Sequence, residues 1–467
     1  MTLSVRVLCL KPTVFRHATA GPGACNCSAM IRAASVPGDM YTDLHAAGTT
    51  GDPLAAFGDW KTAWAGRTSW TYTRSFEVAA AQLNGSAEAL LVFEGIETNA
   101  TVSINGKRVL EASDSWLTYS TPVHPLLAAG TNTVEVAFSS VYDACMFSDP
   151  THANVTCPDR VYIRQAASSW GWDWAKRYSP QGISRPVCLA FIPTAGAAVT
   201  SLGAIVRPAE GEPALAKRWV VEVRLTVYAP APMQTPVTVS GDWGAEAYSA
   251  QTSLAAGENE LAIELTARDV ELWWPVGYGP QPLYNLSATV GGSVMHRKLG
   301  FRSSRLQTDR GVAKEGERSG SGNTSMALLV NGERILARGS SLVPLDTFTG
   351  RTSGAAARRM LLSVIHGGMN SVRIWGGGTF LPPLFYEICD ELGILLLHDF
   401  MLSWYPNNPY PAYPAYRARI AHEVQQKLTD LARHPAIVLW FGGNEDQCTK
   451  CKDTGPESSG PPSLCTP

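Results

Sequence analysis

The sequence has almost no net charge: 38 basic and 40 acidic residues leave −2 at pH 7. No global field would hold the chain on nucleic acid or on an anionic membrane, and neither is expected as a partner. It also lacks long apolar runs. None approaches the ~18–20 residues that a bilayer-spanning helix requires. The opening MTLSVRVLCLKPTVFR has a short apolar stretch without a convincing cleavage site, and reads as a poor signal peptide or an imperfect N-terminus. Metal-ligand spacing is the third thing in short supply. Ten cysteines include two local pairs, Cys25/Cys27 and Cys448/Cys451. A zinc site needs four ligands, and the tail around the second pair adds only Cys465 and no histidine. Buried thiols, or one or two disulfides, are expected instead, with no metal and no cofactor.

Tryptophan is abundant, fourteen in 467 residues, in a chain that is 45% hydrophobic and 17% charged. Length and composition fit two to four domains, each able to bury a core. Tryptophan serves either as core filling or as an exposed platform for sugar rings, and composition does not choose between them. Six N-x-S/T sequons, at Asn26, Asn84, Asn99, Asn154, Asn285 and Asn323, favour a secretory route, whether lysosomal, vacuolar or extracellular.

Residues 67–195 read as short strands (67–78, 89–93, 101–104, 133–138) broken by Asn84-Gly85, Asn105-Gly106 and 128–131, the rhythm of a β-sandwich. Residues 196–305 repeat it, with strands expected at 219–228, 235–240, 260–265 and 283–290. The polar, Gly/Ser-rich stretch 308–325 reads as a linker or inserted loop. Helices at 355–366, 381–392 and 415–433 then alternate with strands at 335–339, 371–375, 394–399 and 437–441, which implies βα units and a parallel sheet. A (β/α)8 barrel has eight such strands and only four are visible, so an incomplete barrel is expected.

In such a barrel the working residues sit at the C-terminal strand ends. These read Arg373-Ile374-Trp375 followed by three glycines, His398-Asp399, and Trp440-Phe441-Gly442-Gly443-Asn444-Glu445. Glu445 occupies the position of a general acid/base, or else is an acid opening a helix. Asn444 can donate its amide to a sugar hydroxyl. Trp375 is either core or a sugar contact, and Asp399 is a weaker candidate that could simply organise loops.

Several motifs in order resemble the β-mannosidases of glycoside hydrolase family 2. They are Val36-Pro37-Gly38-Asp39, Phe93-Glu94-Gly95-Ile96, Ile163-Arg164-Gln165 through Gly171-Trp172-Asp173-Trp174, Gly182-Ile183-Ser184-Arg185-Pro186, Leu272-Trp273-Trp274-Pro275, Gly300-Phe301-Arg302 and the strand ends already quoted. The resemblance runs from about residue 36 to 446. It implies a sugar-binding jelly-roll-like β-sandwich over 1–195, an immunoglobulin-like β-sandwich over 196–305, a linker or inserted loop over 306–325, the first half of a (β/α)8 TIM barrel over 326–446 and a disordered tail over 447–467.

It further implies a retaining exo-glycosidase that removes terminal β-D-mannose from glycans. Glu445 would be the acid/base and Asn444 the partner of the sugar 2-hydroxyl, with Arg373 and Trp375 lining the mouth. Trp172 and Asp173 would reach over from the first sandwich to the distal hydroxyls, although Asp173 could instead cap a turn. Gly443, Ser341-Leu342 and Thr379-Phe380 depart from the family pattern. The family nucleophile, a Glu on the seventh strand, has no counterpart. Glu423, Asp430, Asp446 and Asp453 cannot take its place, so the chain as given is expected to be inactive. The alternatives are another family 2 exo-glycosidase (exo-β-glucosaminidase or β-galactosidase type), a carbohydrate-binding remnant, and a gene product cut short or mis-spliced after Asp446. Oligomeric state is not legible.

Overall fold

The computed structural model describes residues 6–9, 18–20, 30–31, 34–141, 163–212, 215–244, 246–310, 324–403 and 414–445. The cysteine pairs 25/27 and 448/451, Cys465, the sequons at Asn26, Asn154 and Asn323, Asp446, Asp453 and the tail lie outside them.

Two facing antiparallel sheets come first. One has the spatial order Met30–Ile31, Ala18–Ala20, Trp70–Val78, Gly130–Phe138, Ala100–Ile104, Lys107–Ala112. The other runs Arg6–Cys9, Val187–Pro193, Ser86–Phe93, Tyr119–Pro122. Period-two alternation sends Trp70, Tyr72, Val134 and Val136 inward against Leu91, Phe93, Leu189 and Phe191 of the facing sheet. Each such burial contributes about 1.5–3 kcal/mol.

A second pair of sheets follows. Ala198–Pro208, Arg218–Ala229 and Gly257–Arg268 face Tyr248–Leu254, Met233–Gly241, Tyr284–Val290 and Ser293–Leu299. The alternating WVVEVRLTVY stretch buries Val221, Val223, Leu225 and Val227 against Val237, Val239, Leu286 and Ala288. Three two-residue hairpin turns have both residues at positive φ: Asn105-Gly106, Gly291-Gly292 and Asn331-Gly332. Asn and Gly tolerate that backbone, and its twist matches the flanking strands.

Where a linker or inserted loop was expected over 306–325, both ends are strand. Ser304–Arg310 pairs with Thr324–Val330, which pairs with Glu333–Ile335. A four-stranded parallel sheet follows, in the order β1 (Gly339–Leu342), β2 (Ser371–Ile374), β3 (Leu395–Asp399), β4 (Ile437–Phe441). The expected first strand, 335–339, begins too early. The Asn331-Gly332 turn folds Ile335 back to pair with Leu328, and the parallel strand starts only at Gly339.

Three helices connect these strands: α1 (Gly354–His366), α2 (Pro383–Leu392) and α3 (Pro414–Leu431). Ser353 caps α1 by accepting from the Ala356 amide at 3.2 Å, and the i, i+4, i+7 residues Ala357, Leu361 and Val364 are its buried face. In α2, Pro382-Pro383 opens the helix and left-handed Gly393 (φ 73) closes it, as each residue's backbone prefers. The second sandwich is fastened to this unit. Trp273 Nε1 donates to the Asp390 carbonyl at 2.8 Å and Arg302 Nε to the Pro435 carbonyl at 3.0 Å.

Candidate active site

The ends of β2, β3 and β4 converge on Gly376. A Cβ there would lie 2.5 Å from the Leu402 carbonyl oxygen and 2.7 Å from that of Phe400. Only glycine allows the loops after β2 and β3 to approach so closely. Asn444 N donates to the Leu402 carbonyl at 2.8 Å, which draws the loop after β4 to the same point.

Arg373, at the end of β2, organises this cluster. Its Nε and Nη2 donate to the two oxygens of Asp399 at 3.1 and 2.6 Å, and Nη2 also donates to Asn444 Oδ1 at 3.1 Å. The Gly376 amide adds a 2.9 Å bond to Asp399 Oδ2. Burial pushes the fully enclosed Asp399 carboxyl up, while Arg373 and the Gly376 amide hold it down. Because a guanidinium only donates, Arg373 fixes Oδ1 of Asn444 as acceptor and turns Nδ2 toward Glu445, whose Oε2 lies 3.3 Å away. Asp399 and Arg373 thus hold the Asn444 amide in one orientation.

Glu445 is exposed and has φ +55, left-handed backbone that a helix's first turn does not use. Keeping a non-glycine residue there costs about 1–2 kcal/mol. His398 beside Asp399 is a core residue. It stacks between Phe380 and Tyr386, and burial drives its pKa down to about 4, so it stays neutral.

The first sandwich contributes a hairpin. Trp170 and Arg177 bridge, the Trp172 amide donates to the Ala175 carbonyl at 3.0 Å, and Gly171 takes φ +91. At its tip Trp172 and Trp174 pack edge-on against buried Trp375, with centroids at 4.9 and 5.8 Å. Trp375 is thus the floor under two other tryptophans, and its own ring occupies the space a side chain at Gly377 would need. The Ser168 amide ties the hairpin base to the Gly377 carbonyl at 2.9 Å. Asp173 is exposed and caps no backbone amide among the described residues. Beneath Trp174 lies a cavity of about 40 Å³ lined by Glu97, Asp346 and Thr379, among others. Burial pushes Glu97 up to about 8.

Sequence reasoning missed a second cluster. Arg164 donates from Nε and Nη2 to both oxygens of Glu423 at 2.8 and 2.9 Å, and from Nη2 to the Met401 carbonyl at 2.9 Å. It also lies 4.7 Å from the centre of the Trp116 ring. Burial opposes its charge, but Glu423 and other nearby groups hold the guanidinium ionised. Asp114 beside them is pushed well up by burial and by Glu423. The Ile163-Arg164-Gln165 motif was the available signal, but it named no partner.

Residues 17–185 match the family model for the glycosyl hydrolase 2 galactose-binding domain-like region. Over 437 residues the chain is 30% identical to β-mannosidase B of Thermothelomyces thermophilus, covering 90% of this chain and 48% of that protein. It is 26% identical to the β-mannosidase of Mus musculus over 436 residues, with coverage of 89% and 48%. Among solved structures, the β-D-mannosidase of Dictyoglomus thermophilum superposes with a TM-score of 0.79 at 27% identity, over 93% of this chain and 52% of that one. The exo-chitosanase of Amycolatopsis orientalis, at 20% identity and a TM-score of 0.72, shares the fold. The chain resembles β-mannosidase-like glycoside hydrolases of family 2 along nearly all of its length, and spans about half the length of the curated relatives it matches.

Proposed function

We propose that this chain carries the sugar-binding face and one catalytic carboxyl of a retaining exo-β-mannosidase that removes terminal non-reducing β-D-mannose from glycans. The observation that carries the proposal is the hydrogen-bonded series Asp399–Arg373–Asn444–Glu445 at the ends of three parallel strands. The sheet and its helices fit the first half of a (β/α)8 barrel, whose strand ends hold the chemistry.

Glu445 donates its proton to the glycosidic oxygen as the bond to the anomeric carbon breaks. A second carboxylate forms the glycosyl–enzyme bond, and Glu445 then takes a proton from the water that displaces it. In retaining enzymes the two carboxyls stand about 5–5.5 Å apart. Among the described residues no carboxylate is free for the second role near Glu445: Asp399 is held by Arg373 and Glu423 by Arg164. The nucleophile must come from outside them. Asn444 Nδ2 serves the sugar 2-hydroxyl, where a contact that tightens in the transition state accelerates the reaction. Asp173 and Trp172 meet the distal hydroxyls. Asn84 and Asn285, exposed sequon residues, suit passage through the secretory route, and among the described residues no helix is long and apolar enough to cross a membrane.

The test uses the 467-residue chain and three transition-state analogues of manno, gluco and galacto configuration. The manno form should bind at least about tenfold more tightly, a difference of ~1.4 kcal/mol, and Asn444→Ala should erase most of that preference. Equal binding of the three would overturn the mannose assignment in favour of another family 2 exo-glycosidase. Turnover of an aryl β-mannoside by this chain, lost in Glu445→Gln, would overturn the missing second carboxylate.

A further inference from the structure

Large apolar side chains are exposed at only four places among the described residues of the first sandwich: Leu54, Phe57, Trp60 and Trp174. Trp60 is 76% exposed and Phe57 66%, far more than either ring needs for any packing role. Their centroids lie 5.8 Å apart with a 43° tilt, so the two exposed rings lie side by side. They are held by the helix Gly58–Gly66, where the Thr62 hydroxyl donates to the Gly58 carbonyl at 2.8 Å and a Cβ at Gly58 would lie 2.4 Å from the Pro53 carbonyl oxygen. The platform is therefore built on an anchored segment.

This helix adjoins the hairpin that forms the wall of the candidate active site. Lys176 Nζ reaches Asp59 Oδ2 at 3.5 Å, and the Tyr178 hydroxyl donates to the Pro53 carbonyl at 2.8 Å. Half-exposed Trp174 lies on the same hairpin, two residues before Lys176, and packs edge-on against Trp375. The exposed rings thus sit on two elements that Lys176–Asp59 and Tyr178–Pro53 join, one of them the hairpin that packs on Trp375.

We infer that Phe57, Trp60 and Trp174 form an aromatic track that binds the β-linked sugar residues following the terminal one. A β-linked hexopyranose chain presents apolar C–H faces edged by equatorial hydroxyls. Exposed rings bordered by a carboxylate and an ammonium complement that pattern, and exposed aromatic patches of this kind mark binding surfaces. The inference rests on the glycosidase reading for the direction of the chain, but not for the existence of the track.

The experiment titrates the 467-residue chain with β-1,4-mannobiose and β-1,4-mannotetraose in a calorimeter. The tetraose should bind about fivefold to tenfold more tightly than the disaccharide. The double variant Phe57→Ala/Trp60→Ala should lose that gain and keep the disaccharide affinity, with an unchanged thermal midpoint as the folding control. Trp60→Tyr should retain most of the gain. A length-dependent gain that survives the double variant, equal binding of the two sugars by the parent chain, or no binding of either would overturn the track. If the gain is lost in the double variant while the manno-configured analogue shows no preference, the track stands and the mannosidase reading falls.

Discussion

Arg373 with Asp399, at the strand ends, and Arg164 with Glu423, where the first sandwich meets α3, are chemically the same pair. Each is a guanidinium donating twice to one carboxylate. Their surroundings differ. Both side chains of the second pair are sealed, at 3% and 1% exposure, whereas Arg373 remains 34% exposed over a fully buried Asp399. Arg164 directs its remaining recorded bond to a main-chain carbonyl, and Arg373 directs its own to Asn444, which faces Glu445. The sealed pair joins two parts of the chain. The open pair presents an amide to the site. What separates a structural from a positioning arginine here is the destination of its last donor.

The largest effect expected is on the sealed pair. Arg164→Met leaves Glu423 buried without a counter-charge beside Asp114, and should destabilise the chain by about 3–5 kcal/mol in urea unfolding. Arg164→Met with Glu423→Leu should recover much of that loss, because a matched apolar pair removes the stranded charge. If the single variant unfolds like the parent, the two pairs are not different in kind.

Arg373→Met should act in the opposite sense, on binding more than on folding. Asn444 loses its orienting donor, and affinity for the manno-configured analogue should fall about tenfold. Urea unfolding should move by only about 1–2 kcal/mol, since the Gly376 amide still bonds Asp399 and solvent reaches the site. A larger loss of stability than of affinity would erase the distinction.

The smallest effect concerns Glu97, a buried carboxyl without an arginine. Its folded pKa of about 8 exceeds the ordinary carboxyl value of 4.5. Between those two values the folded chain keeps a proton that the unfolded chain has released, so stability falls as pH rises from about 4.5 through about 8. Glu97→Gln should remove part of this slope and raise the melting temperature at pH 8 by about 2–4 °C relative to the parent. Asp43, pushed up by burial to about 7, supplies a slope of the same sign that remains in the variant. An unchanged pH profile in scanning calorimetry would show that Glu97 ionises freely.

Features that depend on neighbours in sequence were readable in advance. The Asn-Gly turns, the alternation in WVVEVRLTVY and the βα rhythm gave the sheets and three of the four parallel strands to within a residue. Reading the strand ends in order singled out Arg373, Asp399, Asn444 and Glu445, which the fold brings into one hydrogen-bonded series. The rest depends on separation. Arg164 and Glu423 lie 259 residues apart, so no spacing rule joins them. Nor could the sequence show that Trp172 and Trp174 rest on Trp375, because they belong to a distant stretch of the chain. The left-handed backbone of Glu445 has no local signature, because its neighbour Asn444 would have been the commoner residue to adopt it.

The hairpin from Trp170 to Arg177 bears on how such proteins can be recombined. The α/β unit does not own all of the wall around its strand ends, since two tryptophans of that wall arrive from a sandwich encoded far upstream. Exchanging the N-terminal portion for a homologous sandwich would therefore replace part of that wall together with the module. Expressing the α/β unit alone would leave Trp375 uncovered. The wall around the strand ends and the strand ends themselves are, in this architecture, encoded by different stretches of the gene that must travel together.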